Sequence, residues 1–333
     1  MDTITGTIKL ATPGDAPAIS AAIARCYGDS YTTPEALDPA WVADSLRSGD
    51  VVYALAFDPA GEHMGQAALV KSSPAGLWEC GRAIVDPRFR GQGVMNALSD
   101  LLILEVAPAV GARFVFGHLV TSHVFVQQHS ISRGFVPTGL LLGMAPETLC
   151  PAGIARRKQP VSIVIALRPG AGPHPPRRLA LAEPELSRAL DLYRRLGVEA
   201  CGVEPSGSSA PLGATVDRLP SFGISRLRFE PGGGLDLPAL LAVAAAHEAR
   251  VSWADVPVEH PGAARAIEAL RREGFSWGAL IPLAGPAGED VLRLQRLGSR
   301  VRLSADAIHV VDQLQPLRDH VLADVYGTEV VHA

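Results

Sequence analysis

The segment AIVDPRFRGQGVMNAL, running from Ala83 to Leu98, constrains the fold more than any other stretch of the chain. It begins as a strand. Asp86-Pro87 stops that strand, because proline has no N–H to give to a ladder. It ends in an apolar helix pattern. Between the two lies Arg-Phe-Arg-Gly-Gln-Gly, bare backbone and positive charge where a chain built for stability alone would pack side chains. Glycines at 91 and 93 permit unusual dihedrals and close backbone approach. The amides of Gly93, Val94 and Met95 open the helix without intrahelical acceptors. With the helix dipole and the charges of Arg88 and Arg90, they make a site for an anion, phosphate above all.

The rest of the chain gives that site a mixed α/β setting. The 333 residues are enough for two domains. Hydrophobic residues make up 47% and aromatics only 5%, so Ala, Leu and Val must fill the cores. The order over the first half is β-α-β-β-β-α-β-α-β: a strand and helix in IKLATPGDAPAISAAIARCYG with Asp15 as cap, a hairpin of VVYALAF and MGQAALVKS, the strand WECGRAIV, the loop and its helix, ARFVFGHLV, the helical HVFVQQHSISRG, and TGLLLGMAP. Residues 1–145 read as one domain, 146–175 as a linker containing the bridging strand VSIVIALRP, and 176–333 as a second domain. The halves share an internal order of strand, helix, Gly-Phe, strand. ARFVFGHLV at 112 matches ARVSWADVP at 249, and ISRGFVPTGLLLGMAP at 131 matches LRREGFSWGALIPLAGP at 270. Duplication with a shortened second copy accounts for this. There the strand SRLRFEP, a glycine turn and the helix LPALLAVAAAHEA stand where the anion loop and its helix stand in the first copy.

A formal net charge of −4 argues against a nucleic-acid partner. Arg156-Arg157-Lys158 and Arg177-Arg178 read as solvated linker charges. The four cysteines, Cys26, Cys80, Cys150 and Cys201, form no CxxC, which removes the usual zinc knuckle and redox pair. His118, His123 and His129 lack the spacing of a helical metal site, so no metal is expected. The opening MDTITGTIKL lacks a signal pattern, and no apolar run approaches the ~20 residues of a membrane helix. The expectation is a cytoplasmic protein, monomer or homodimer, with no membrane association.

Which anion is bound follows from the residues around the glycines. A nucleotide P-loop needs Gly-Lys-Ser/Thr, and Gly93 is followed by Val94-Met95. A dinucleotide fingerprint needs a third glycine where Asn96 stands. Val85-Asp86-Pro87-Arg88-Phe89-Arg90-Gly91-Gln92-Gly93-Val94 resembles, without gaps, the acyl-CoA-binding motif of the GNAT acetyltransferases, Gln/Arg-x-x-Gly-x-Gly/Ala after a strand ending near Val-x-Pro. The resemblance covers roughly residues 7–145, including IKLATPGDAPAI and the late SRGF.

The resemblance implies two GNAT-like domains, each a central mixed sheet flanked by helices, with one working copy. It implies an N-acyltransferase using acetyl-CoA or another acyl-CoA as co-substrate, with an amine of a small molecule or peptide as acceptor. Residues 88–95 (Arg88, Phe89, Arg90, Gly91, Gln92, Gly93, Val94, Met95) would cradle the pyrophosphate. The strand edge at Ile84-Val85 would pair with the pantetheine amides, in a slot where this strand and the next splay apart. The family's acid is often a tyrosine four residues before the Gly-Phe glycine, and Ser130 stands there. That departure leaves a non-catalytic acyl-CoA-binding or regulatory protein as the alternative. Candidate catalytic groups are then Glu79, which shares a strand face with Gly81 and Ala83, and Ser122, His123 and His129 after the following strand. Tyr27, Tyr31 and Trp78 are candidates for an acceptor wall. The second half has no such motif, and Glu230 and Asp236 beside its glycines would repel phosphate.

Overall fold

The computed structural model describes residues 4–149, 159–204, 212–232, 238, 241–242 and 249–327. The chain forms two compact units, one of Met1–His118 with Glu147–Lys158, the other of Leu119–Pro146 with Gln159–Ala333. The fold class is the expected one, a mixed α/β sheet structure flanked by helices.

In the first unit, strands β1 (Thr7–Leu10), β2 (Val51–Phe57), β3 (His63–Ser73), β4 (Leu77–Val85) and β5 (Phe114–Val120) lie side by side in that order. The neighbours from β1 to β4 are antiparallel, and β4 to β5 is parallel. The β2–β3 turn is fixed by Asp58, whose carboxylate accepts from the Glu62 N–H at 2.7 Å. Helix α1 (Ala16–Tyr27) and helix α2 (Pro39–Ser48) cover one face. Ile19, Ile23 and Val42 from the helices pack there with Tyr53, Leu55, Ala68 and Ile84 from the strands. Helix α2 lies outside the expected element order, although its ends carry ordinary signals. Asp38 caps the N–H of Ala40, Pro39 opens the first turn, and Gly49 closes the helix at φ 75. Asp15 does not cap α1. Its carboxylate turns back to the Thr12 N–H and hydroxyl and to Lys9. Helix α3 (Val94–Asp100) continues unbroken through a π-helical stretch, Leu101–Val106, and ends at Ala107–Ala109. Val94, Leu98, Leu102, Ile103 and Val106 are its buried side.

In the second unit, helix α4 (Phe125–Ile131) leads to β6 (Val136–Ala145), which pairs antiparallel with β7 (Val161–Pro169). A small parallel pair, β8 (Arg177–Leu179) and β9 (Ala200–Gly202), brackets helix α5 (Glu185–Arg195). Then come β10 (Leu212–Leu219), β11 (Ile224–Pro231), β12 (Val251–Pro257), helix α6 (Ala263–Arg272), β13 (Ser276–Ile281), β14 (Val291–Leu297) and helix α7 (Gln315–Tyr326). The strand order is β7-β6-β13-β14-β12-β11-β10. Gly139 and Gly278 let β6 and β13 approach closely, since a Cβ on Gly139 would lie 2.1 Å from the Gly278 carbonyl oxygen. Gln295, fully buried, ties the two strands by accepting from the Leu142 N–H and donating to the Leu140 and Trp277 carbonyls.

Arg177 departs from its reading as a solvated linker charge. It is 5% exposed and donates to Asp290 at 2.6 Å. Asp290 also accepts from the Tyr193 hydroxyl and the Leu283 N–H, so the guanidinium is buried because a buried carboxylate is there to meet it. Arg178 is exposed, as expected, while Arg156-Arg157-Lys158 and most of LPALLAVAAAHEA lie outside the described residues.

Candidate active site

Strand β4 carries the site because it is left partly unpaired. Its parallel ladder with β5 runs through Leu77↔Phe114, Trp78↔Val115 and Glu79↔Phe116 and stops, although β4 continues to Val85. From Gly81 onward, that edge has no ladder partner in β5 among the described residues. On its other side, β4 holds an irregularity against β3. Gln66 faces Ile84 and Ala68 faces Gly81, so β4 has one residue more than β3 across that step. The extra length falls at Arg82-Ala83, and Arg82 takes φ 52, a left-handed conformation that is strained for a side chain with a Cβ.

Past the free edge the chain turns into the glycine loop. The Asp86 carboxylate accepts from the Arg88 N–H and caps the turn Pro87–Phe89. Gly91 and Gly93 both sit at left-handed φ, 77 and 76, which only glycine adopts without strain. Gly93 is the cap of α3, so the first N–H groups of that helix face the loop without backbone acceptors. Gln92 folds back to the Arg88 carbonyl. Arg88, expected to meet phosphate, is engaged by carboxylates instead. It holds Asp86 through two bonds, at 3.0 and 3.1 Å, and Glu62 at 2.8 Å. These partners raise its affinity for its proton and hold Asp86 below the usual aspartate range. Arg90 has no ion pair among the described residues. It lines a cleft of about 210 Å³ with Arg25, Cys26, His63, Met64 and Val85. Burial lowers the His63 pKa, as does Arg25, and the buried His63 Nε2 has no hydrogen-bond partner.

Glu79 stands at the last rung of the β4–β5 ladder, and its Oε1 is 2.9 Å from Nδ1 of His118. Both side chains are half-buried. The Glu79 carboxylate lies over Gly81, where a Cβ would stand 2.8 Å from Oε1. Burial pushes the Glu79 carboxyl up. The His118 ring and then Arg82 pull it down further, and it ends below the ordinary glutamate range. The sequence pattern presents His118 only as one of three histidines without metal-site spacing. Its signal is register: residue 116 faces residue 79, and strand alternation then puts His118 on the same side as Phe116. The ring of Phe116 meets the His118 imidazole edge-on at 5.2 Å.

On the α1–α2 face beside this pair, Arg82 donates to the Tyr53 hydroxyl at 3.0 Å and lies over the rings of Trp41 and Tyr53. Burial raises the Tyr31 pKa well above the ordinary tyrosine value, with Tyr53, Tyr27 and Glu79 adding to the shift and Arg82 opposing it. Tyr27 and Tyr31 meet ring to ring at 5.2 Å. Trp78 is buried in the sheet, one residue from Glu79 and therefore on the opposite face. Ser122, His123 and His129 belong to the second unit. His123 is exposed and packs on Phe125 at 5.5 Å, and His129 is half-buried against Arg133. Among the described residues, no group of His, Cys, Asp and Glu is arranged to hold a metal ion, and no helix is long and apolar enough to cross a membrane.

No family model and no curated protein matches the chain. Solved structures similar to it include acetyltransferases. The ribosomal-protein-S5-alanine acetyltransferase from Vibrio fischeri is 12% identical, covering 53% of this chain and 98% of that one at a TM-score of 0.40. An N-acetyltransferase from Staphylococcus aureus Mu50 is 20% identical over 49% and 98%, TM-score 0.39. Ard1 from Thermoplasma volcanium is 19% identical over 51% and 100%, TM-score 0.38. Each of the three spans about half of this chain and nearly all of the other.

Proposed function

We propose that this chain is an acyl-CoA-dependent N-acyltransferase, with acetyl-CoA as co-substrate and an amine of a small molecule or peptide as acceptor. The observation that carries the reading is the continuity between the β4 edge from Gly81 to Val85, unpaired with β5 among the described residues, and the free amides of Gly91 to Met95. An extended pantetheine arm can pair with the first while its pyrophosphate rests on the second. Arg90 supplies charge at the loop, and Arg88 braces the turn through Asp86 and Glu62.

The chemistry uses Glu79 and His118 together. With Nδ1–H donated to Glu79, Nε2 of His118 keeps a lone pair and takes the proton of the incoming ammonium. The free amine attacks the thioester carbonyl, a C–N bond forms, the C–S bond breaks, and CoA leaves as the thiolate. His118 passes its proton to that thiolate, and the attacking nitrogen releases its second surplus proton to water, leaving the amide and the free CoA thiol. Glu79, kept ionised, stabilises the imidazolium between these steps. We read residues 176–333 as a degenerate copy. Its β11 and β12 are parallel and are followed by α6 and then antiparallel β13 and β14. The first copy has the same succession in β4, β5, α4, β6 and β7.

Calorimetry with acetyl-CoA, followed by thiol release on a panel of amines, tests the reading. Saturable binding with turnover of one amine class is expected. Binding without turnover on any amine would favour a non-catalytic acyl-CoA-binding protein, and absence of binding would remove both.

A further inference from the structure

The β4 irregularity brings an arginine against Tyr53 and Trp41. Arg82 is held at φ 52, a backbone conformation that disfavours any side chain, so the bulge is kept at some expense to stability. Its guanidinium offers five N–H donors, and Tyr53 takes one of them. No carboxylate lies within ion-pair distance of it among the described residues. The aromatic rings of Trp41 and Tyr53 hold the guanidinium from the side, at 5.5 and 5.8 Å. That leaves its remaining donors for something else. The Glu79 carboxylate, bonded to His118, lies over Gly81, the residue before Arg82, so the guanidinium and the Glu79–His118 pair are neighbours on β4.

A second observation points the same way. Gln66 is fully buried on that face, opposite Ile84 at the bulge, and neither its Oε1 nor its Nε2 has a partner. A buried carboxamide with both groups unmet is costly unless a ligand meets them.

We propose that Arg82 is the specificity-determining residue of the acceptor site and that the acceptor is an α-amino acid, its amine at His118 and its carboxylate on the Arg82 fork. A planar guanidinium is the residue of choice for a carboxylate, and charge-assisted bonds of this kind are the strong ones. The proposal rests on the acyltransferase reading and names the substrate class of that same site.

The test is thiol release from acetyl-CoA with the free L-amino acids and, in parallel, their carboxamides. For the preferred side chain, the acid should exceed its amide by about ten- to a hundredfold in kcat/KM, mostly through KM. Arg82→Gln should erase that ratio by raising KM for the acid alone. Arg82→Lys, which keeps the charge and loses the fork, should restore part of it. Equal use of acids and amides by the wild type would overturn the proposal, as would a variant that loses both equally together with its melting temperature. If acetyl-CoA binds and no amine discharges it, the acyltransferase reading fails. The acceptor proposal is then decided by titrating the same acids and amides into protein saturated with CoA. An Arg82-dependent preference for acids supports it, and no such preference sinks it.

Discussion

In the proposed reaction Glu79 and His118 divide one task, the carboxylate fixing the ring and the ring moving the proton. Replacing His118 with Gln should lower kcat by about 10²- to 10⁴-fold and leave acetyl-CoA affinity unchanged, because general bases contribute on that scale. Glu79→Gln keeps a hydrogen-bonding group at Nδ1 and removes the charge that stabilises the imidazolium. Its kcat should fall too, with the same unchanged affinity. Stopped-flow turnover beside a CoA titration of each variant checks both, and a matching loss of CoA affinity would put the pair in the cofactor site instead. Half of this pair was legible in the sequence. Glu79 could be found because strand alternation and small neighbours are local signals. His118 could not, because what joins it to Glu79 is the parallel register of β4 and β5, a pairing between segments some forty residues apart in sequence. Arg82 was hidden for a related reason. Nothing in WECGRAIV shows that β4 carries an extra residue against β3, and without the bulge its direction cannot be assigned.

At the scale of elements, the glycine loop is where sequence and structure agree most closely, since its geometry is dictated by residue type. Gly93 at φ 76 caps α3, and valine there would strain the turn by roughly 1–2 kcal/mol while placing a branched side chain among the free amides. Gly93→Val should therefore fold, melt a few degrees lower, and lose acetyl-CoA binding beyond detection by calorimetry. Full affinity in a folded variant would end the assignment of the loop. Arg90→Ala should weaken binding by about tenfold, the worth of one charge-assisted contact. What the sequence did not yield at this scale was the engagement of Arg88, because Glu62 reaches it from the β2–β3 turn. The Gly-Phe repeat also needs a physical reading. Gly134 and Gly274 share φ 80, each donates its N–H three residues back, and Phe135 and Phe275 each donate to the carbonyl five residues back. That is a helix end closed by a left-handed glycine, and it recurs at Gly197-Val198 after α5. The shared Gly-Phe thus reports how these helices stop. The weightier support for two copies is the matching succession of parallel pair, helix and antiparallel pair.

For the molecule as a whole, the buried titratable groups set a window of pH in which folding is favoured, and the signs can be worked out group by group. His63, His260 and His320 are lowered by burial, so the folded chain resists protonating them. Asp86 is lowered by the side chain and then the backbone N–H of Arg88. For Asp15 and Glu79 burial acts upward and is outweighed, by Lys9 and Thr12 in the first case and His118 and Arg82 in the second. Each of these groups binds a proton more readily unfolded than folded. Their contribution is complete above the unfolded values, about 6.5 for histidine and about 4 for the carboxylates, and is lost as pH falls through the folded ones. Cys26, Tyr31, Tyr53, Tyr193 and Tyr326 are raised by burial, with Asp290 adding to the shift of Tyr193. Their stabilisation is complete below the unfolded values, about 8.5 for cysteine and about 10 for tyrosine, and is lost as pH rises through the folded ones. Thermal melts should therefore show a plateau between about pH 7 and 8.5, a first decline toward pH 5.5 from the histidines, a second below about 4.5 from the carboxylates, and a separate decline above about 10. His63→Gln removes one histidine without adding charge, so its first decline should be shallower than the wild type's. A melting temperature that rises from pH 7 to 5.5 would contradict the direction assigned to the histidines, and an unchanged slope in His63→Gln would remove His63 from their number.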